Sequence, residues 1–270
     1  MTHKFKKKYG QNFLNDLNII NKIINSVYLS KDDIVIEIGA GSGNLTKELE
    51  KKVKKVIAYE IDSDLEEQLR KKLNNTDIII DDFLKRDIKK DIKESYNNLY
   101  IIANLPYYIT TPIIKKIIDD KIDPTAMILM VQKEVGERFM AIPNTRQYGS
   151  LTVYLNYYFD IKKLMIVPKD AFYPKPKINS MVVMFTKKEI PYQVKNEELF
   201  FKLVRDAFTY KRKNLKNNLK DYNLNIIQEV LQKHNLDLTA RAEQIPIELF
   251  ISIADKLSLW EFFKWVHIIP

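Results

Sequence analysis

The chain of 270 residues is 46% hydrophobic, enough apolar mass for one sizeable core with a small satellite domain. It has no cysteine, which excludes disulfides, thiolate metal sites and cysteine nucleophiles, and its three histidines, His3, His234 and His267, are too far apart in sequence to suggest a zinc site. Lysine and arginine outnumber aspartate and glutamate by 44 to 35, a net charge of +9 that favours a polyanionic partner, with nucleic acid ahead of an anionic membrane surface.

Residues 1–10 carry lysines but no apolar stretch of signal-peptide length, and no uncharged apolar run approaches the ~20 residues that a bilayer span needs. The expectation is a soluble, cytoplasmic monomer with no metal and no membrane association. From Asp33 onward, short β-branched runs alternate with amphipathic segments. Ile34 to Ile38 reads as a buried strand and Leu45 to Val53 as a helix; Val56 to Tyr59 is a second strand, followed by the charged helix Asp64 to Leu73. Thr76 to Ile80, Leu99 to Ala103 and Ala126 to Val131 are further strands, and Thr111 to Asp119 is a helix. This alternation predicts parallel βαβ units.

After Tyr148 the rhythm changes to two β-rich stretches, Leu151 to Phe159 and Ile178 to Phe185, expected to close the sheet as an antiparallel hairpin. From Glu197 the pattern is helical: Glu197 to Thr209, Lys213 to Leu219, Ile226 to His234 and Pro246 to Leu257. The expected fold is α/β, a Rossmann-like, doubly wound, mostly parallel sheet over residues 1–190, with a small all-helical domain over 191–270. The apolar tail, Leu259 to Ile269, is expected to pack on a domain.

Glu37-Ile38-Gly39-Ala40-Gly41-Ser42-Gly43 lies where the first strand turns into the first helix. Glycines such as Gly39 and Gly41 let backbone turn sharply there and approach a ligand closely. The third glycine comes one residue too early for a dinucleotide fingerprint, so the motif reads as a class I methyltransferase loop. Glu60 ends the second strand at the ~20-residue spacing from which a carboxylate reaches ribose hydroxyls. Asp62 is the better helix cap, which would leave Glu60 for a ligand. At the end of the third strand, Asp81 and Asp82 compete as acceptors for an adenine amine.

Asn104-Leu105-Pro106-Tyr107 follows the strand Tyr100 to Ala103, at the carboxyl edge of the sheet. An adenine amine is a poor nucleophile because its lone pair is delocalised into the ring. Acceptors on its two N–H bonds localise that pair, and the Asn104 side-chain oxygen and Leu105 carbonyl are candidates. Pro106 stiffens the turn, and Tyr107 offers a face for stacking. In the segment Lys213 to Leu219, Lys213, Lys216 and Lys220 recur at helical spacing opposite Leu215 and Leu219, giving a basic face that suits phosphates; Lys4, Lys6, Lys7 and Lys8 add to it.

These motifs, together with Gln11-Asn12-Phe13-Leu14, Tyr59 to Asp62, Asp82 to Lys85, Gln147-Tyr148-Gly149, Phe172 to Pro176 and Arg241 to Gln244, resemble the ribosomal RNA adenine dimethyltransferases of the KsgA type. The resemblance implies S-adenosyl-L-methionine as cofactor, held by Asn12, Leu14, Gly39, Glu60, Asp82 and Asn104. It also implies N6,N6-dimethylation of adenosines in small-subunit ribosomal RNA, or in the pre-ribosomal small subunit, with Phe172 sandwiching the target base against Tyr107. The family's basic run appears here, somewhat reduced, as Tyr210 with Lys211, Arg212 and Lys213. A branch that modifies large-subunit RNA and confers antibiotic resistance shares the catalytic half, although Arg241 to Gln244 fits the ribosome-biogenesis branch better. DNA adenine methyltransferases usually carry two prolines after the first catalytic residue, unlike Leu105-Pro106. A non-catalytic assembly factor on the same fold would have no need of Glu60 and Asn104.

Overall fold

The computed structural model describes residues 6, 11–106, 109–189 and 191–266, so Tyr107, Lys4, Lys7, Lys8, His3 and His267 lie outside the described residues. The chain divides into two compact units, Met1–Gly136 with Ile161–Lys187 and Glu137–Asp160 with Lys188–Pro270. The second crossing, at Lys188, falls beside the boundary expected from the sequence. The segment 137–160, expected with the sheet, belongs instead with the C-terminal helices.

In the first unit, β1 (Phe13–Leu14) precedes α1 (Leu17–Ile24), then β2 (Ile34–Ile38), α2 (Asn44–Leu49), β3 (Lys55–Glu60), α3 (Glu66–Lys72), β4 (Thr76–Ile80) and α4 (Ile88–Asp91). The chain continues through β5 (Leu99–Asn104), α5 (Thr110–Asp119), β6 (Ala126–Gln132) and α6 (Lys133–Phe139), and returns for β7 (Phe159–Val167), β8 (Phe172–Tyr173) and β9 (Ser180–Lys187). Seven strands form one sheet in the order β4-β3-β2-β5-β6-β9-β7, while β1 pairs with β8. The first four neighbouring pairs are parallel, and β9 runs antiparallel to β6. All five residues of β2 are buried, which explains why four of them are apolar: a central parallel strand is covered on both faces, and Glu37 is the exception.

From β2 the chain winds outward through β3 to β4 and then crosses back to β5 on the other side. The carboxyl ends of β2 and β5 therefore flank a topological switch point, the place where such sheets bind ligands. Gly39 and Leu105 follow those two ends.

The second unit is built on α7 (Ser150–Tyr158), α8 (Glu197–Ala207), α9 (Leu215–Asn218), α10 (Leu224–Gln232) and α11 (Ile247–Val266). The stretch expected as a strand over 151–159 is α7, with the strand β7 beginning only at Phe159. Its β-branched and aromatic residues favour a strand locally, but Val153 and Tyr157 stand one helical turn apart and pack into the core with Phe200, Leu203 and Phe250. Tertiary packing decides the outcome. The helix expected over 213–219 is also shorter, because the Asn214 side chain caps it by accepting from the Asn217 N–H. The apolar tail continues α11 as far as Val266, with Leu259 and Trp260 partly exposed. Among the described residues no helix is long and apolar enough to cross a membrane.

Candidate active site

The loop after β2 turns through Gly39, Gly41 and Gly43, all at positive φ. Gly41 is tightly constrained: at φ +55°, an added Cβ would lie 2.9 Å from the Phe13 ring. The glycine thus lets an aromatic from β1 close down on the loop. An added Cβ on Gly39 would make ordinary contact with the Asn104 carbonyl and the Pro106 ring, so the loop and the Asn104 motif face each other directly.

Two adjoining cavities fill this space. Gln11, Asn12, Phe13, Gly39, Gly41, Glu60, Ile61, Asn104, Leu105 and Pro106 line the first. The second shares Phe13, Gly39, Gly41 and Asn104 and extends to Leu14, Glu37 and Ser42. The sequence-predicted residues Asn12, Leu14, Gly39, Gly41, Glu60, Asn104, Leu105 and Pro106 therefore converge on one place. Gln11, Phe13, Ile61 and Glu37 join them, although sequence reasoning gave them no role of their own.

Glu60 is 5% exposed, and both of its oxygens are engaged: Oε2 accepts from the Gly41 N–H at 2.8 Å and Oε1 from the Asp62 N–H at 2.8 Å. The expectation that Asp62 caps the following turn holds, but Glu60 is not left free by it. A carboxylate has about four acceptor positions, so these two bonds orient the group and leave capacity for ligand hydroxyls. Burial pushes its carboxyl above the ordinary value and the Asp62 charge adds to this, while the backbone N–H groups oppose the rise.

Glu37 is 2% exposed, and burial pushes its carboxyl up to about 8. The Glu60 charge adds to the rise, and the Thr46 hydroxyl and Lys72 oppose it. Thr46 Oγ1 lies close by without completing a hydrogen bond, and Glu37 Oε2 is an orphaned acceptor beside the glycine loop.

On the opposite wall, Asn104 Nδ2 donates to the Asn12 carbonyl at 2.9 Å. A carbonyl can only accept, so the contact fixes which end of the amide faces β1 and turns Oδ1 the other way. Leu105 is buried, and its N–H donates to the Met130 carbonyl at 3.1 Å, which carries the β5–β6 pairing one step past the end of β5.

The remaining predicted residues are more dispersed. Asp82 accepts from the Leu84 N–H at 3.0 Å as the cap of a short turn, while Asp81 lies 3.5 Å from Arg86; neither lines the two cavities. Phe172 is 4% exposed and belongs to the hydrophobic core with Leu14 and Ile20. Its ring packs inward beside its β-ribbon partner Leu14, and Tyr107, the other half of the expected sandwich, lies outside the described residues. Tyr173, directly opposite Phe13 in the same ribbon, is 62% exposed. Among the described residues no group of three or more His, Cys, Asp or Glu is placed to hold a metal.

The description "ribosomal RNA adenine dimethylase" fits the chain over residues 2–259. The chain belongs to this family. A similar rRNA adenine dimethylase is the ribosomal RNA small subunit methyltransferase A of Clostridium acetobutylicum, 39% identical over 260 residues that cover 94% of each chain. The protein of the same name from Bacillus pumilus is 41% identical, with 94% of this chain and 91% of that one covered. Among solved structures, a dimethyladenosine transferase from Plasmodium falciparum matches with a TM-score of 0.75 and 27% identity, covering 93% of this chain and 97% of that one. The 23S rRNA methyltransferase ErmE matches with a TM-score of 0.70 and 25% identity over 92% and 100%.

In this rRNA adenine dimethylase, Arg212, Lys213, Lys216 and Lys220 are exposed in the helical unit, with Leu215 and Leu219 buried beneath. Lys211 is also exposed, and its Nζ donates to the Arg146 carbonyl at 2.7 Å. The Arg241 to Gln244 segment is structural here. The Arg241 N–H donates to Gln244 Oε1 at 2.7 Å, and Ala242 and Ile245 are buried in the helical core.

Proposed function

We propose that this protein dimethylates the exocyclic amine of adenosines in small-subunit ribosomal RNA, two adjacent ones in a hairpin loop near the 3′ end, using S-adenosyl-L-methionine during ribosome biogenesis. The observation that carries the reading is the Asn104 amide, held by the Asn12 carbonyl on the wall of a glycine-lined acidic pocket.

The residues present fit the cofactor. Glu60 is a buried carboxylate suited to ribose hydroxyls, the orphaned Glu37 Oε2 suits a cationic or N–H-bearing group, and Gly39 and Gly41 line the cavities at positive φ, Gly41 where an added Cβ would strike Phe13. Asn12, Leu14 and Asn104 complete the contacts, with Asp82 or Asp81 for the adenine amine. When bound, S-adenosylmethionine supplies an electrophilic methyl group. The chain's own part is to present the target amine: Asn104 Oδ1 and the Leu105 carbonyl accept from its two N–H bonds and draw the lone pair out of the ring. Pro106 holds that turn, and Tyr107 offers a stacking face. No side chain need act as a strong base, since the methylated amine becomes acidic and releases its proton to water.

Lys211, Arg212, Lys213, Lys216 and Lys220 are the proposed phosphate contacts, positioning the RNA without reading its sequence. The protein is proposed to act as a cytoplasmic monomer on the small-subunit RNA or its pre-ribosomal particle. Offering undermethylated small subunits, large-subunit RNA and duplex DNA with labelled cofactor tests the reading. Incorporation only into the small subunit supports it; preference for large-subunit RNA favours the resistance branch, and binding without incorporation a non-catalytic assembly factor.

A further inference from the structure

Asp62 is fully buried two residues past Glu60, and its carboxylate does more than cap a turn. Lys6 Nζ reaches Oδ1 at 2.5 Å and also lies 2.6 Å from Asp64; Gln11 Nε2 donates to Oδ2 at 2.7 Å. The Lys6 N–H in turn donates to Gln11 Oε1 at 2.7 Å. Burial alone would raise the Asp62 carboxyl, but the bonds from Lys6 and Gln11 outweigh it and hold the group below its ordinary value. Asp62 is therefore a charged anchor at neutral pH.

A continuous chain of bonds runs from that anchor around the pocket. Asp62 donates through its N–H to Glu60 on one side and receives Gln11 on the other. The next residue, Asn12, receives Asn104 through its carbonyl, and Phe13 closes on Gly41. A flip of the Asn104 amide would set its oxygen against the Asn12 carbonyl, acceptor facing acceptor. The position of the 11–13 segment thus decides which way the amide faces.

We propose that Asp62, Gln11 and Lys6 form a positioning latch, which holds the Asn12 carbonyl where it fixes the Asn104 amide with Oδ1 turned toward the target amine. The inference rests on the methyl-transfer reading above. Gln11 also lines the first cavity, but the proposed role of the three residues is to act through Asn12 on Asn104.

The test uses the full chain with Gln11→Ala, Asp62→Asn, Lys6→Ala and Lys6→Arg. Single-turnover methyl transfer to undermethylated small subunits, at saturating cofactor and RNA, should slow about tenfold in the first three, with the Kd for RNA changed by less than about twofold. Lys6→Arg, which keeps the ion pair, should restore most of the rate. In the NMR spectrum of the 15N-labelled protein, the Asn104 side-chain NH2 signal should shift and exchange faster with solvent in Gln11→Ala and Asp62→Asn. Unchanged rates, or losses of rate, RNA affinity and melting temperature in parallel, would overturn the latch and leave a merely structural tether. Should Asp62→Asn fail to fold, Gln11→Ala and Lys6→Ala carry the same comparison. An inactive parent protein would sink the methyl-transfer reading, whereas an Asn104 signal insensitive to these substitutions would sink the latch by itself.

Discussion

The Gly41 N–H donates to Glu60 Oε2 at 2.8 Å, tying the loop that follows β2 to the last residue of the neighbouring strand β3 beside the switch point. Glu60 thus shapes the pocket as well as facing it. Glu60→Ala should weaken S-adenosylmethionine binding by ~1.5–3 kcal/mol, the range for a missing hydrogen bond to a charged group. Glu60→Gln should not behave as a conservative change, because both oxygens accept from backbone N–H groups and an amide nitrogen would confront one of them. Calorimetric titration of both variants checks this; cofactor affinity unaltered in Glu60→Ala would remove Glu60 from the site.

Burial of Glu37 makes the stability of the cofactor-free protein depend on pH. Its folded carboxyl is pushed up to about 8 from the ordinary 4.5. Between those values the unfolded chain has released a proton that the folded one keeps, so stability should fall as pH rises from 4.5 to 8. The upward shift of Glu60 contributes in the same direction and leaves a residual slope. Glu37→Gln does not titrate, so its melting temperature should exceed the parent's at pH 8 by at least ~3 °C and converge with it near pH 4.5. Superimposable melting profiles would contradict the burial argument.

Phe172 and Tyr173 are neighbours with opposite environments, so their truncations should separate. Phe172→Ala removes a buried ring and should cost ~3–5 kcal/mol of stability. Tyr173→Ala removes an exposed ring beside the pocket and should leave stability within ~0.5 kcal/mol, while costing ~1–3 kcal/mol in affinity for single-stranded RNA if a base stacks there. Denaturant melts and fluorescence titrations resolve the two. A stable Phe172→Ala variant with impaired RNA capture would instead support the sandwich of the target base between Phe172 and Tyr107.

Joint replacement of Lys213, Lys216 and Lys220 by alanine should flatten the dependence of RNA affinity on salt, by up to ~0.7–0.9 log unit for each phosphate that the variant no longer neutralises. Filter binding at several salt concentrations measures the slope. An unchanged slope would place this surface outside the interface.

The positions of the strands β2 to β6 were legible in the sequence. Short β-branched runs mark the strands, and β2, a buried central strand, and β4, a half-buried edge strand, fall on the residues expected, 34–38 and 76–80. The site's glycines and Asn104 stand at strand ends, where the topology itself brings them together. Other features depend on distant partners. The strand expected at 151–159 is a helix because Val153 and Tyr157 find partners on α8 and α11. The inward turn of Phe172 follows from a two-residue pairing with β1 that no local pattern announces. Helix α1 was not among the expected elements, although its signals are local: Asp16 caps it, and Ile20, Ile23 and Ile24 form its buried stripe at helical spacing. The Asp62–Gln11 bond joins residues 51 positions apart, beyond the reach of any spacing argument.

The central claim is that the Asn104 site converts adenosines of small-subunit RNA to the N6,N6-dimethyl form. Undermethylated small subunits incubated with S-adenosylmethionine and either the parent protein or Asn104→Ala, then digested to nucleosides and analysed by mass spectrometry, test it most directly. The account predicts dimethyladenosine with the parent protein, and a rate lower by ~100-fold or more with Asn104→Ala while RNA affinity is nearly retained, because the amide acts chiefly in the transition state. Near-normal dimethylation by Asn104→Ala, or a parent protein that leaves small-subunit adenosines unmodified, would contradict it.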